Sequence, residues 1–288
     1  MNIDPVVSPK WLLARMYEPD LVIVDCRFAL GNPDEGKQSY LASHIPGAVF
    51  LDVEKDLSAP VGLHGGRHPL PDPQELAARL GRAGIGNDTR VVAYDDQGGL
   101  YAARLWWMLR WLGHDHVYVM DGGFAAWQAG GFPVTDAQRT LVPAAFVPNV
   151  RSGMLADVDE VRRALGDPGV LLVDSRDASR YAGEQEPIDA KAGHIPGAVN
   201  RFWKGVLDDQ GAWLAEPALR EQLAPVIRAL DDGREAIVYC GSGVSACPNV
   251  LALHRLGYPQ AKLYAGSWSD WVSYPDNPVA TGNEEPCS

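Results

Sequence analysis

Little in this chain suggests a metal site, a membrane span or a nucleic-acid surface. It has only four cysteines in 288 residues, Cys26, Cys240, Cys247 and Cys287. None forms a CxxC pair or has histidine at zinc spacing, so no metal site is expected. So few cysteines also fit a reducing compartment better than a disulfide-stapled secreted fold. No apolar run approaches the roughly 20 residues that cross a bilayer. The opening Met1-Asn2-Ile3-Asp4-Pro5 has neither a basic start nor an apolar core, so no secretory leader is expected and a cytoplasmic location is. Positive charge is scarce: 25 Lys and Arg stand against 37 Asp and Glu, a net charge of −12. That excludes a general nucleic-acid or anionic-membrane binder. The remainder is ordinary for a globular protein, with 46% hydrophobic and 22% charged residues. A chain of this length suits about two domains.

What is present repeats itself. Leu21-Val22-Ile23-Val24-Asp25-Cys26-Arg27 returns half a chain later as Val170-Leu171-Leu172-Val173-Asp174-Ser175-Arg176. His44-Ile45-Pro46-Gly47-Ala48 returns as His194-Ile195-Pro196-Gly197-Ala198, and Val91-Val92-Ala93-Tyr94-Asp95 as Ala236-Ile237-Val238-Tyr239-Cys240. Asp121-Gly122-Gly123-Phe124 through Trp127 is matched by Ala265-Gly266-Ser267-Trp268 through Trp271. Two copies of one domain follow, rather than a solenoid of many short units. Each copy alternates fully apolar short runs with stretches of helical period, such as Leu76-Leu80 and Leu219-Leu223-Val226-Ile227. That pattern predicts α/β domains, each a mainly parallel sheet flanked by helices. The boundaries read as 1–137 and 154–288, joined by a linker over 138–153 that holds Pro143 and Pro148 and no clear period.

Chemistry is concentrated in the second copy. Cys240 ends an apolar strand and is followed by Gly241-Ser242-Gly243-Val244-Ser245-Ala246 and then a helix. A thiol on such a turn faces unpaired backbone N–H groups and the positive end of a helix, both of which favour thiolate. The alternative is a buried structural cysteine beside a glycine-rich turn. Cys247 is expected inside the helix as a packing residue, and Cys287 in a polar tail. At the position of Cys240 the first copy has Asp95, which cannot attack sulfur. The first domain is therefore expected to be catalytically inactive. Asp95 and Asp96 are expected to close a loop lining the substrate cleft, with Tyr101 and Arg104 beside it. His44 and His194 read as hydrogen-bonded turn residues, and Trp106, Trp107, Trp111 and Trp127 as core.

Over nearly its full length the chain resembles the tandem-domain rhodanese sulfurtransferases. The resemblance rests on the paired Asp-x-Arg strand ends, both His-Ile-Pro-Gly-Ala motifs, the Tyr94-Asp95 and Tyr239-Cys240 turns, Asp121-Gly122-Gly123 and Tyr264-Ala265-Gly266-Ser267-Trp268. It implies a persulfide carried on Cys240. The loop, with no basic residue after the cysteine, is similar to that of the 3-mercaptopyruvate branch, with Ser245 where threonine is usual. That branch implies a Ser242–His68–Asp52 proton relay, with His64 the competing histidine, and substrate contacts from Gly241, Gly243, Val244, Ser245 and Arg180. Where the family carries a second arginine after Glu-Pro, this chain reads Glu186-Pro187-Ile188, and Lys191 or Arg201 are the candidates to compensate. The resemblance implies no cofactor, a small-molecule sulfur donor, a thiol acceptor such as thioredoxin (or cyanide in vitro), and a monomer. A thiosulfate donor, or a carrier module loaded by a partner protein, are the rival readings. A Cys-x5-Arg phosphatase is excluded by Ala246, which stands where arginine is needed.

Overall fold

The computed structural model describes residues 4–283, so Cys287 lies outside the described residues. The chain divides into two compact units, and each contains a short piece from the other half of the sequence. The first comprises Met1–Ala59, Pro71–Arg151 and Leu207–Trp213; the second comprises Pro60–Leu70, Ser152–Val206 and Leu214–Ser288.

The first unit is built on five parallel strands, β1 (Val6–Val7), β2 (Leu21–Asp25), β3 (Val49–Phe50), β4 (Arg90–Tyr94) and β5 (Val117–Met120), in the order β1-β5-β4-β2-β3. The second repeats this with β6 (Leu155–Ala156), β7 (Val170–Asp174), β8 (Val199–Asn200), β9 (Glu235–Tyr239) and β10 (Lys262–Tyr264), in the order β6-β10-β9-β7-β8. Both sheets keep the same register: Asp25 lies opposite Tyr94 and Asp174 opposite Tyr239. The central strands are apolar on both faces because helices cover both, as parallel sheets require. Each buried leucine of those helices, Leu76 and Leu80 among them, contributes about 1.5–3 kcal/mol.

The repeated Asp-x-Arg motif ties the strand ends together. Arg27 binds Asp25 at 2.6 Å and donates to the Ser43 carbonyl at 2.6 Å; Arg176 binds Asp174 at 2.6 Å and donates to the Gly193 carbonyl at 2.6 Å. These charges are buried but paired and hydrogen-bonded, which is what makes their burial tolerable. His44 and His194 hydrogen-bond the carbonyls of Tyr40 and Tyr181 through Nδ1 and stack on those same rings. The four tryptophans Trp106, Trp107, Trp111 and Trp127 are all buried.

Two elements depart from the sequence reading. The segment over 138–153 is not a free linker. Ala144, Asn149 and Arg151 donate to the carbonyls of Gly81, Leu112 and Trp111 at 2.8–2.9 Å, and Phe146 is buried against His114. Its backbone bonds to helix ends rather than to itself, so no period marks it. The amphipathic stretch from Leu219 to Ile227 is two helices, Glu216–Gln222 and Ala224–Asp231. Pro225 in the first turn of the second lacks an N–H and crowds the preceding turn, so one continuous helix is broken there. Among the described residues no helix is long and apolar enough to cross a membrane.

Candidate active site

Cys240 sits directly beyond the carboxyl end of β9, the edge at which open α/β sheets place their ligands. The loop Gly241–Ala246 follows, and the helix Cys247–Arg255 begins at its end. Gly243 has φ +77°, and a Cβ there would collide with the Ala265 carbonyl, so only glycine fits the tight turn. Cys240 itself is 1% exposed. Its backbone N–H donates to Ser267 Oγ at 3.1 Å, and Ser267 Oγ lies 3.9 Å from Cys240 Sγ. The Cys240 carbonyl accepts from Trp268 N at 2.9 Å, and that of Gly241 from Ser269 N at 2.9 Å. Ser267 is the one non-glycine residue with positive φ (+56°) among the described residues. Backbone strain of that kind gathers where a side chain must be held in one place.

Among the described residues, the N–H groups of Ser242, Val244 and Ala246 have no acceptor. They stand two, four and six positions after the sulfur-bearing residue, at the start of a helix. Unsatisfied donors at a helix N-terminus form a ready anion-binding cradle. Cys247 is buried as the first residue of its helix, its Sγ donating to the Gly243 carbonyl at 3.3 Å. Cys26 is also buried, and burial, reinforced by Asp25 and Asp95, pushes its thiol well up. Neither has the setting of Cys240.

The strap Pro60–Leu70 belongs to the second unit and lies along the helix Ser267–Trp271 and its C-terminal continuation. Gly65 N donates to Asp270 Oδ1 at 2.7 Å and Arg67 N to Ser269 Oγ at 3.1 Å. Gly66 has φ +79°, and a Cβ there would strike the Gly266 carbonyl. The strap brings His68 Nδ1 to 2.8 Å from Ser242 Oγ, both side chains buried. His64 is placed elsewhere, 2.8 Å from Ser273 Oγ and stacked on Tyr274 at 3.9 Å between ring centres. Asp52 belongs to the first unit, where its carboxylate accepts from the N–H groups of Glu54 and Lys55 at 2.9 and 3.0 Å. It also lines a 390 Å³ cavity with Lys55, Asp56 and Arg139.

Arg180, on the helix Ala178–Tyr181, lies beside the loop. A Cβ on Gly241 would be 3.7 Å from both of its terminal nitrogens. It binds Glu186 at 2.8 Å and Asp189 at 3.1 Å. Gly241 and Gly243 are buried, Val244 is 6% exposed, and Ser245 is half-buried. Among the described residues neither candidate replacement, Lys191 or Arg201, bonds to the loop or to Arg180. The Lys191 carbonyl accepts from Trp268 Nε1 at 2.9 Å, and Arg201 donates to the Asn200 carbonyl at 2.6 Å. The cation found there is Arg67, whose Nη2 would lie 2.9 Å from a Cβ on Gly241. Sequence reasoning missed Arg67, although it directly precedes His68.

The comparisons agree with this architecture. The rhodanese-like domain family matches residues 8–130 and again 157–274. A probable 3-mercaptopyruvate sulfurtransferase of Pseudomonas aeruginosa is 46% identical over 289 residues, covering 98% of this chain and 100% of that protein. A thiosulfate sulfurtransferase of Bos taurus is 35% identical over 277 residues, covering 92% and 91%. The crystal structure of a 3-mercaptopyruvate sulfotransferase from Escherichia coli superposes with a TM-score of 0.80 at 32% identity, covering 92% of this chain and 98% of that one. Matched once in each half and along nearly its whole length, this chain belongs to the rhodanese family of sulfurtransferases.

Proposed function

We infer that the protein moves sulfane sulfur from 3-mercaptopyruvate through a Cys240 persulfide to a thiol acceptor such as thioredoxin, or to cyanide in vitro. The observation that carries this reading is a cysteine at the head of a loop of N–H donors, in which Ser242 Oγ lies 2.8 Å from Nδ1 of His68 on the strap. The Cys240 thiolate attacks the donor sulfur, an S–S bond forms and the C–S bond breaks. Its electron pair passes to carbon as the enolate of pyruvate, which takes a proton to become pyruvate. His68 and Ser242 are suited to carry that proton, as general acid and base linked by one hydrogen bond. Loop N–H groups stabilise charge on the sulfurs. In the second half-reaction the acceptor thiolate attacks the outer sulfur, and Cys240 departs as thiolate. Asp52, the relay's third member by resemblance, is assigned on that ground alone. Its test is Asp52→Asn, which should lower kcat if the carboxylate serves the relay. The first domain, with Asp95 in place of cysteine, is assigned no sulfur chemistry. The protein is taken to act as a cytoplasmic monomer.

A donor panel tests the reading. Purified protein should release pyruvate from 3-mercaptopyruvate and gain the mass of one sulfur atom at Cys240, and Cys240→Ala should do neither. Undiminished turnover by that variant overturns the proposal. A thiosulfate donor is the second reading, favoured by the uncharged Ile188, which is 43% exposed where a second arginine is expected. A larger kcat/KM for thiosulfate than for 3-mercaptopyruvate would select it. Slow turnover with both donors and ready loading by a cysteine desulfurase would select the carrier reading.

A further inference from the structure

Asp189 occupies an unusual position for an acid in a site meant for an anionic donor. Its side chain is 4% exposed and bridges two guanidinium groups. Oδ1 is ion-paired with Arg67 Nη1, and Oδ2 lies 3.1 Å from Arg180 Nη2. Both arginines flank Gly241, the residue after Cys240. Arg67 Nε is buried with no hydrogen-bond partner, so this fork still has an unused donor. One carboxylate in contact with two guanidinium groups beside a sulfur nucleophile is the arrangement a carboxylate-bearing thiol would need, and Arg180 is bound by Glu186 as well.

We propose that Asp189 occupies, in the resting protein, the place of the donor's carboxylate between Arg67 and Arg180, so that donor binding exchanges one carboxylate for another. This rests on the sulfurtransferase reading above and adds to it a residue that selects carboxylate donors. The charges around this two-arginine clamp are already balanced. Arg67 comes from the strap, Arg180 from the helix Ala178–Tyr181 and Arg176 from the end of β7, and they face Asp174, Glu186 and Asp189. A further carboxylate therefore requires Asp189 to leave or to take up a proton. Burial pushes the Asp189 carboxyl up, with Arg67 opposing, which favours the second route.

The test uses binding of 3-mercaptopropionate, a thiol carboxylate without the keto group that makes the carbon a leaving group, to the full-length chain. Calorimetric titration is accompanied by thermal melts. Arg67→Ala should weaken binding about tenfold or more, the loss of one charge-assisted contact. Arg67→Lys, which keeps the charge without the fork and guards against misfolding of the alanine variant, should fall between that and wild type. Asp189→Asn should bind the probe several-fold more tightly than wild type, because its competitor is gone, and this gain should vanish when Arg67→Ala is added. A purely structural latch predicts the opposite, lower affinity together with a lower melting temperature for Asp189→Asn. That result, unchanged binding by Arg67→Ala, or no binding by the wild type, overturns the clamp. Absence of pyruvate release from 3-mercaptopyruvate with the binding pattern intact would strike the proposed reaction and leave the clamp standing.

Discussion

The loops after β4 and β9 are the same backbone device with different occupants. In the first unit the Asp95 carboxylate accepts from the N–H groups of Gln97, Gly99, Tyr101 and Ala102 at 2.7–3.0 Å. Those donors stand two, four, six and seven positions after it. In the second unit the donors at positions two, four and six after Cys240 have no acceptor among the described residues. The neighbouring turn matches as well: Phe124 N donates to the Asp95 carbonyl at 2.7 Å, and Trp268 N to the Cys240 carbonyl at 2.9 Å. Gly123 and Ser267 share the same left-handed conformation, φ +55° and +56°. The difference teaches that the fold supplies an anion cradle in either copy. A side-chain carboxylate fills it permanently in one, and the other leaves it for chemistry. Burial raises the Asp95 carboxyl while the four N–H groups oppose it, so the filled cradle is itself a compromise.

Four experiments would break or sharpen that comparison. Cys240→Ala should abolish sulfur transfer while leaving the urea unfolding midpoint nearly unchanged, because among the described residues its sulfur has one hydrogen-bonding neighbour, Ser267 Oγ at 3.9 Å. A large loss of stability would mean that the sulfur props its cradle as Asp95 does. Ser242→Ala and His68→Asn should each lower kcat/KM by about 10²–10³ without preventing persulfide formation under saturating donor, measured by steady-state kinetics and intact mass. Wild-type rates would remove the relay. Asp95→Ala should reverse the first pattern. By orphaning four N–H groups, three of them buried, it should cost roughly 3 kcal/mol or more in denaturant unfolding, yet leave Cys240 able to take up sulfur. An unchanged midpoint would show that the carboxylate does not fill the cradle in solution. Ser267→Gly and Ser267→Ala should both slow transfer. Only glycine relieves the positive φ, so its melting temperature should exceed that of alanine by the equivalent of about 1 kcal/mol. Equal melting temperatures would deny the strain.

Much of this was legible because the sequence is written twice. The apolar runs at Leu21–Asp25 and Glu235–Tyr239, the register-fixing Asp-x-Arg ends and the cysteine after the fourth strand of its copy depend on local residues and on the comparison between copies. Arg67 and the strap did not yield to that approach. Residues 60–70 match no repeated motif and have no period. Their place is set by tertiary bonds to Ser269, Asp270 and Ser273 that no spacing announces. One signal did exist. Glu186 and Asp189 lie close together beside a position where a cation was expected, and two buried acids demand positive charge from somewhere. The packing of the segment 138–153 is hidden for a related reason, since its hydrogen bonds run to helix ends in the first unit and leave no pattern of their own.

The strap has an evolutionary consequence. Severing the chain in the 138–153 stretch would give a carboxy-terminal fragment that keeps the reactive sulfur but forfeits the imidazole bonded to Ser242 and one guanidinium beside Gly241. The amino-terminal fragment would forfeit the Leu207–Trp213 arm, whose Trp213 amide donates to Asp121 at 2.8 Å. After an ancestral duplication, such reciprocal lending would lock the two halves into a single inheritance, even though only one of them retains a nucleophile.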